Sequence, residues 1–323
     1  MKRIILGLAM LSAATPCFCW GFFAHKKINH YAVFLLPPEM LVLFKPNIDF
    51  LSDHATDPDK RRYAVAAEGP RHYIDIDHYG TYPYDSLPRR WQDAVNKYGE
   101  DSLAKHGIVP WWVQTMLYRL TEAFKQKDQA RILKLSAELG HYMSDLHVPL
   151  HASSNHNGQH TGQHGIHGFW ESRLPELLAD KEWDFFIGKA VYISDPLSFA
   201  WKRLLESAAA ADTVLRFERE LTARFPADQK YAYEERNGVT IRQYSTAFSK
   251  AYDSMMKGMV ERRMRQSIFA TASFWYTAWV NAGQPDLSTL NNQSFSAEDL
   301  QEFEWLNNAW KKGTGNGREH ESP

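Results

Sequence analysis

The stretch from His141 to Glu171, HYMSDLHVPLHASSNHNGQHTGQHGIHGFWE, constrains this chain more than any other, because it holds seven of its fourteen histidines. His141 and Asp145 are four residues apart at the end of an apolar-periodic segment, and His167 and Glu171 repeat that spacing in a second one. Residues four apart on a helix sit one above the other on the same face. Each pair can therefore offer an imidazole nitrogen and a carboxylate oxygen to one ion, with His151 available from the connection between them. A single such pair is more often a surface pair or a cap; two pairs with a histidine between them are hard to obtain by chance. Nitrogen and carboxylate ligands without thiolate suit zinc best among the common ions. His156, His160 and His164 lie in a Gly/Gln/Asn-rich loop and are read as solvent-facing or weakly supporting the ligands, while His147 stands between a structural and a supporting role.

The rest of the chain sets the context for that cluster. Residues 1–19 read as a secretory signal peptide: Lys2 and Arg3, then the apolar run Ile4 to Ala14, then Cys17 and Cys19 ahead of Trp20. The run is too short to span a membrane. Its removal takes away both cysteines, so thiolate catalysis and disulfides are excluded from the mature chain. It also takes two of the 37 basic residues, leaving the 38 acidic ones in slight excess. No bulk positive field remains for duplex nucleic acid, and any phosphate must be recognised locally. The expected location is the periplasm or the exterior, with no transmembrane segment after signal removal.

Helical periodicity dominates, and the expected fold class is all-α with long functional loops. Trp20 to Leu36 reads as a helix closed by Pro37 and Pro38. Asn47 to Asp85, rich in Asp, His, Arg and Pro, reads as a long loop, and its aspartates have turn and cap chemistry as the ordinary alternative. Val113, Met116, Leu117, Leu120 and Phe124 form one helical stripe after Pro110; Ile132, Leu135, Leu139 and Tyr142 form the next, which Asp128 can cap. Leu197 to Phe225 and Tyr244 to Asn281 read as two further long helices, with strand alternation confined to His72–Tyr79 and Gly238–Arg242. The expected domain spans 20–285, and 286–323 is a polar C-terminal extension with one short helix begun by Ser296-x-x-Asp299. That helix is expected to dock loosely and the last residues to be disordered.

These motifs resemble the zinc-dependent phospholipase C and S-one/P-one nuclease superfamily. The opening Trp20-Gly-Phe-Phe-Ala-His25, the middle motif H-x-x-x-D-x-H-x-P-L-H at His141 to His151, and the closing H-x-x-x-D/E at His167 to Glu171 carry the likeness. Asp57 and His72 are matched to the family's earlier Asp and His. The resemblance implies a multi-helix phospholipase C/nuclease-type fold and three zinc ions. The first would be held by Asp57, His72, His141 and Asp145, the second by His151, His167 and Glu171. The third would take the amine and carbonyl of Trp20 with His25, and Asp145 would bridge to it.

By that resemblance the chain would be an exported trinuclear zinc hydrolase that cleaves phosphodiester bonds with a metal-activated water. Asp57 would orient that water or take its proton, and Lys60 or Arg61 would neutralise a phosphate oxygen. The family's nucleases often place an Arg three residues after the Asp, where this numbering puts Lys60. Glu171 in place of Asp is closer to the phospholipase branch, so a phospholipid head group is the leading substrate class. Single-stranded nucleic acid or a nucleotide is the alternative. A reading from another class is a binding or scaffold protein that zinc only stabilises, against which stands the small number of protein ligands per site, the pattern of catalytic zinc. A metalloprotease is not expected, because H-E-x-x-H is absent.

Overall fold

A computed structural model of the protein describes residues 21–236, 238–290 and 294–312. The expected signal peptide, Trp20 and the tail beyond 312 lie outside the described residues. Helices α1 (Phe22–Val33), α2 (Pro38–Phe44), α3 (Ile48–Asp53) and α4 (Asp57–Arg61) come first, followed by α5 (Trp91–Tyr98), α6 (Glu100–His106), α7 (Val109–Gln126) and α8 (Gln129–Asp145). Then come α9 (Ile166–Gly168), α10 (Leu174–Glu182), α11 (Pro196–Arg224), α12 (Thr246–Met256), α13 (Met259–Asn281) and α14 (Ala297–Lys312). One antiparallel hairpin, β1 (Tyr231–Arg236) with β2 (Val239–Tyr244), interrupts them, so the expected all-α class is met.

α8 is the axle of the fold, with α7, α13, α1 and α3 packed around it. It starts as an ordinary amphipathic helix, capped by the Asp128 carboxylate accepting from Arg131 N at 3.1 Å. From Ser136 to Asp145 every residue is buried. A helix covered on all sides needs no polar face. The stripe expected on α8 is therefore incomplete: Leu135 is only half-buried, and His141 and Asp145, outside that stripe, are buried as well. The α7 stripe is buried as expected, with Pro110 in the first turn.

α1 approaches α8 closely because residue 140 is glycine. A Cβ there would lie 1.9 Å from Asn29 Oδ1. Asn29 in turn donates to Leu51 O at 2.9 Å and Ala137 O at 3.0 Å, so one amide ties α1, α3 and α8 together. Asn29 is one helical turn after His25, and Gly140 precedes His141; the contact brings those two imidazoles to stacking distance, 3.8 Å between ring centres.

Four expectations about local structure are corrected. Residues 47–85 are not one loop but hold α3, α4 and several 3-10 turns, because the Asp and Pro residues start short helical turns there. His72–Tyr79 is no strand, since it ends in the 3-10 turn Ile76–Tyr79 and pairs with no neighbour as a ladder. Residues 244–281 are two helices, broken where Lys257 and Gly258 take left-handed φ values of 50° and 70°. The hairpin extends over both Tyr231–Arg236 and Val239–Tyr244, of which only part of the second strand was expected. The reciprocal cap at Ser296 and Asp299 is present, with Asp299 N donating to Ser296 Oγ at 3.1 Å and Ser296 N to Asp299 Oδ2 at 3.2 Å. The helix it starts, α14, lies against α4, burying Phe303 and Leu306.

Candidate metal centre

Eight side chains able to bind a metal meet in the interior, in three groups: His25, His141 and Asp145; Asp59, His72 and His141; and His151, His167 and Glu171. All eight are buried. Asp145 lies at the middle. Its Oδ1 is 3.6 Å from His25 Nε2 and 3.7 Å from His151 Nδ1, while Oδ2 is 3.1 Å from His72 Nδ1 and 3.3 Å from His141 Nε2. In the last group Glu171 Oε2 is 3.0 Å from His167 Nε2 and 3.4 Å from His151 Nε2. Two ligand atoms bound to one tetrahedral zinc at about 2.0–2.2 Å stand roughly 3.3–3.6 Å apart, the range of many of these separations.

The imidazoles are fixed from behind. A carbonyl oxygen can only accept, so His141 Nδ1–H donates to Ala55 O at 2.8 Å, His151 Nδ1–H to His72 O at 2.7 Å and His167 Nδ1–H to His156 O at 3.1 Å. His25 Nδ1–H donates to Ser144 Oγ at 2.8 Å, a hydroxyl whose own proton goes to His141 O at 2.7 Å. In each of the four rings Nε2 is left as the unprotonated nitrogen facing the carboxylates. This is the arrangement that metal-ligating histidines need, with the second nitrogen holding tautomer and ring angle.

The donor set fits a cation on a further count. Among the described residues, His25 Nε2, Asp145 Oδ1, both Asp59 oxygens and both Glu171 oxygens are buried without a hydrogen-bond partner. So many unpaired polar atoms in one interior place are costly without a bound cation. Without one, the carboxylates act on the imidazoles instead. Burial pushes His141 down, but Asp145 and Asp59 outweigh it and raise the group to about 9. Burial, helped by His141, drives His25 the other way. A divalent ion would satisfy the same negative charge without protonating a ligand.

Of the expected ligands, His25, His72, His141, Asp145, His151, His167 and Glu171 come together, and Trp20 lies outside the described residues. Asp57 does not join them. Its carboxylate is held by His54 Nδ1 at 2.5 Å and Lys60 Nζ at 2.8 Å, and the acid 3.8 Å from His72 and 3.7 Å from His141 is Asp59. Two residues of offset at a 3-10 to α4 junction decide which aspartate turns inward, and sequence reading had left Asp59 to turn chemistry. Lys60 is occupied with Asp57. Arg61 is committed to Glu138 and lies 3.5 Å from both Glu68 and Tyr142. The basic side chain beside the inward aspartate is Arg62, 3.6 Å from Asp59.

Ser144 and Glu68 went unnoticed in the sequence, and Asp59 was read only as turn or cap chemistry. Only Ser144 carried a signal, sitting between His141 and Asp145 on the last turn of α8. His78, a possible competitor of His72, stacks instead on His106 with ring centres 3.5 Å apart. His147 is buried with Nδ1 donating to Met143 O at 2.8 Å, a structural role. Compared with known proteins, the sequence matches no family model and no curated relative at a significant level.

Proposed function

We propose that this chain is an exported hydrolase of phosphodiesters with a three-ion zinc centre. The observation that carries the reading is the gathering of eight buried ligand-type side chains in three adjoining groups, with Asp145 beside four of the imidazoles and four imidazoles tautomerically fixed so that Nε2 faces the carboxylates. His25 and Asp145, with Trp20 as the chain's new terminus after signal removal, would hold one ion. Asp59, His72, His141 and Asp145 would hold another, and His151, His167 and Glu171 the third. Zinc held by these residues would supply a water of lowered pKa and neutralise charge on phosphate oxygens.

The chain's own residues do the rest. Burial of the whole donor set keeps the dielectric low around the reacting phosphate, where charges act most strongly. Asp145, with one oxygen toward His25 and the other toward His72 and His141, keeps the neighbouring sites at a fixed spacing. Arg62, next to Asp59, is the guanidinium in place to draw a phosphate oxygen toward the cluster. Lys60 and His54 hold Asp57 ionised at the rim: burial pushes its carboxyl up, but the His54 and Lys60 contacts bring it below the usual range.

A second substrate reading has its own observation. With Asp59 as the inward acid, the residue three positions on is Arg62, the spacing common in the nuclease branch of the family this chain resembles. That favours single-stranded nucleic acid or a nucleotide, whereas Glu171 favours a phospholipid head group. Purified protein should contain up to three zinc ions per chain and hydrolyse a chromogenic phosphodiester. A panel of phosphatidylcholine, single-stranded DNA and RNA assigns the substrate. No hydrolysis of any member by zinc-loaded protein would leave the stabilised-scaffold reading.

A further inference from the structure

Glu68 belongs to none of the three ligand groups, yet it is fully buried where several donors converge. Arg71 Nη1 donates to Oε2 at 2.6 Å, Arg61 Nη1 lies 3.5 Å from the same oxygen, and the Tyr142 hydroxyl donates to Oε1. The remaining face of the carboxylate meets His72, whose Nε2 is 3.5 Å from Oε1 and has no partner within ordinary hydrogen-bond limits among the described residues. Burial pushes the Glu68 carboxyl up, but His72, Arg61 and Arg71 hold it well below the usual carboxylate range.

His72 is the odd one among the five histidines of the centre. The other four turn Nε2 inward. His72 turns Nδ1 inward, 2.9 Å from His141 Nε2 and 3.1 Å from Asp145 Oδ2, and Nε2 outward. Among the described residues no backbone carbonyl accepts from its outer nitrogen as one does behind His141, His151 and His167; the group at its back is the Glu68 carboxylate, one turn earlier in the chain and 3.5 Å away. A ring flip would exchange the two nitrogens, so something on the outer side has to make the observed orientation the preferred one.

We propose that Glu68 is a positioning residue of the metal centre: it takes the Nε2–H of His72 and so fixes Nδ1 as the metal-facing nitrogen, with Arg61, Arg71 and Tyr142 locking the carboxylate in place. This rests on the metal-centre reading above. A carboxylate behind a ligating imidazole raises its basicity more than a neutral carbonyl does, and such outer partners are typically worth about 10–100-fold in metal affinity. The ion bound by Asp59, His72 and His141 therefore depends on Glu68, whereas the ion at His151, His167 and Glu171 does not.

Long-range proton–nitrogen NMR on the zinc-loaded, histidine-labelled protein reads the tautomers directly. The expected result is one ligand histidine carrying its proton on Nε2 and the other four on Nδ1. In Glu68→Gln only the Nε2–H signal should move, and one bound zinc should become roughly 10–100-fold easier to remove with a chelator. Arg71→Met, which leaves the Glu68 carboxylate, should keep the Nε2–H tautomer. If Glu68→Gln does not fold, the wild-type spectrum still decides. Zinc-loaded wild type with all five ligand histidines protonated on Nδ1, or a folded Glu68→Gln with unchanged signals and zinc retention, overturns this inference alone. A wild-type chain that takes up no zinc overturns the metal-centre reading and this inference with it.

Discussion

Two pairs with identical spacing, His141 with Asp145 and His167 with Glu171, are delivered by very different backbones. The first sits on the last turn of α8, a regular helix covered on every side. The second spans the single turn of α9 and the π turn Phe169–Arg173, entered through Gly165 at φ 89°. The wider π turn still brings Glu171 Oε2 to 3.0 Å from His167 Nε2. Sequence spacing alone thus specifies the facing of the two side chains but not the rigidity of what holds them. Asp145 is shared among neighbouring groups, and Glu171 serves one.

Breaking the shared member should do most damage. Asp145→Asn keeps the shape of the side chain and removes its charge, so metal content after dialysis should fall by more than one ion per chain. Loss of one ion or none would show that the two sites are independent. His167→Ala should cost a single ion and abolish turnover while the far-ultraviolet circular dichroism stays that of a helical protein, because the core side chains of the same turns, Ile166, Phe169 and Trp170, are kept. Retained turnover would remove the second pair from the chemistry.

The next expected effect concerns Trp20. An α-amino group has a pKa of about 7.7–8.0, so a metal can displace its proton near neutral pH, which an amide nitrogen in an uncleaved chain does not allow. One residue added before Trp20 should therefore remove the ion at His25 and leave the other two. Equal metal content in both chains would refute the N-terminal ligand. The smallest effect is structural: Gly140→Ala puts a Cβ against Asn29 and should destabilise the protein by about 1–3 kcal/mol in urea unfolding, with the ion at His25 weakened first as α1 is pushed off α8. Wild-type stability in that variant would mean the α1–α8 contact is not what brings His25 to His141.

Periodicity, prolines and caps made the helices legible: Pro110, Asp128 and Ser296 all act where their chemistry says they should. The break at Lys257–Gly258 was hidden because an apolar pattern continues through it, although Gly258 is the residue type that favours a left-handed helix end. Dense histidine spacing made most of the centre readable. Asp57 against Asp59 was not, since both lie in the same short segment and only the handover from a 3-10 turn to α4 decides which one faces inward. Glu68 was invisible for a related reason: its significance lies in a nitrogen of His72 that faces away from the ligands.

If this interior is a zinc centre with Asp145 at its middle, anomalous diffraction from crystals at the zinc edge should show three peaks per chain, one beside His25 and Asp145, one among Asp59, His72, His141 and Asp145, and one among His151, His167 and Glu171, with Asp57 bound to none. No peak within the cluster, or a peak on Asp57 with Asp59 turned away, would contradict it.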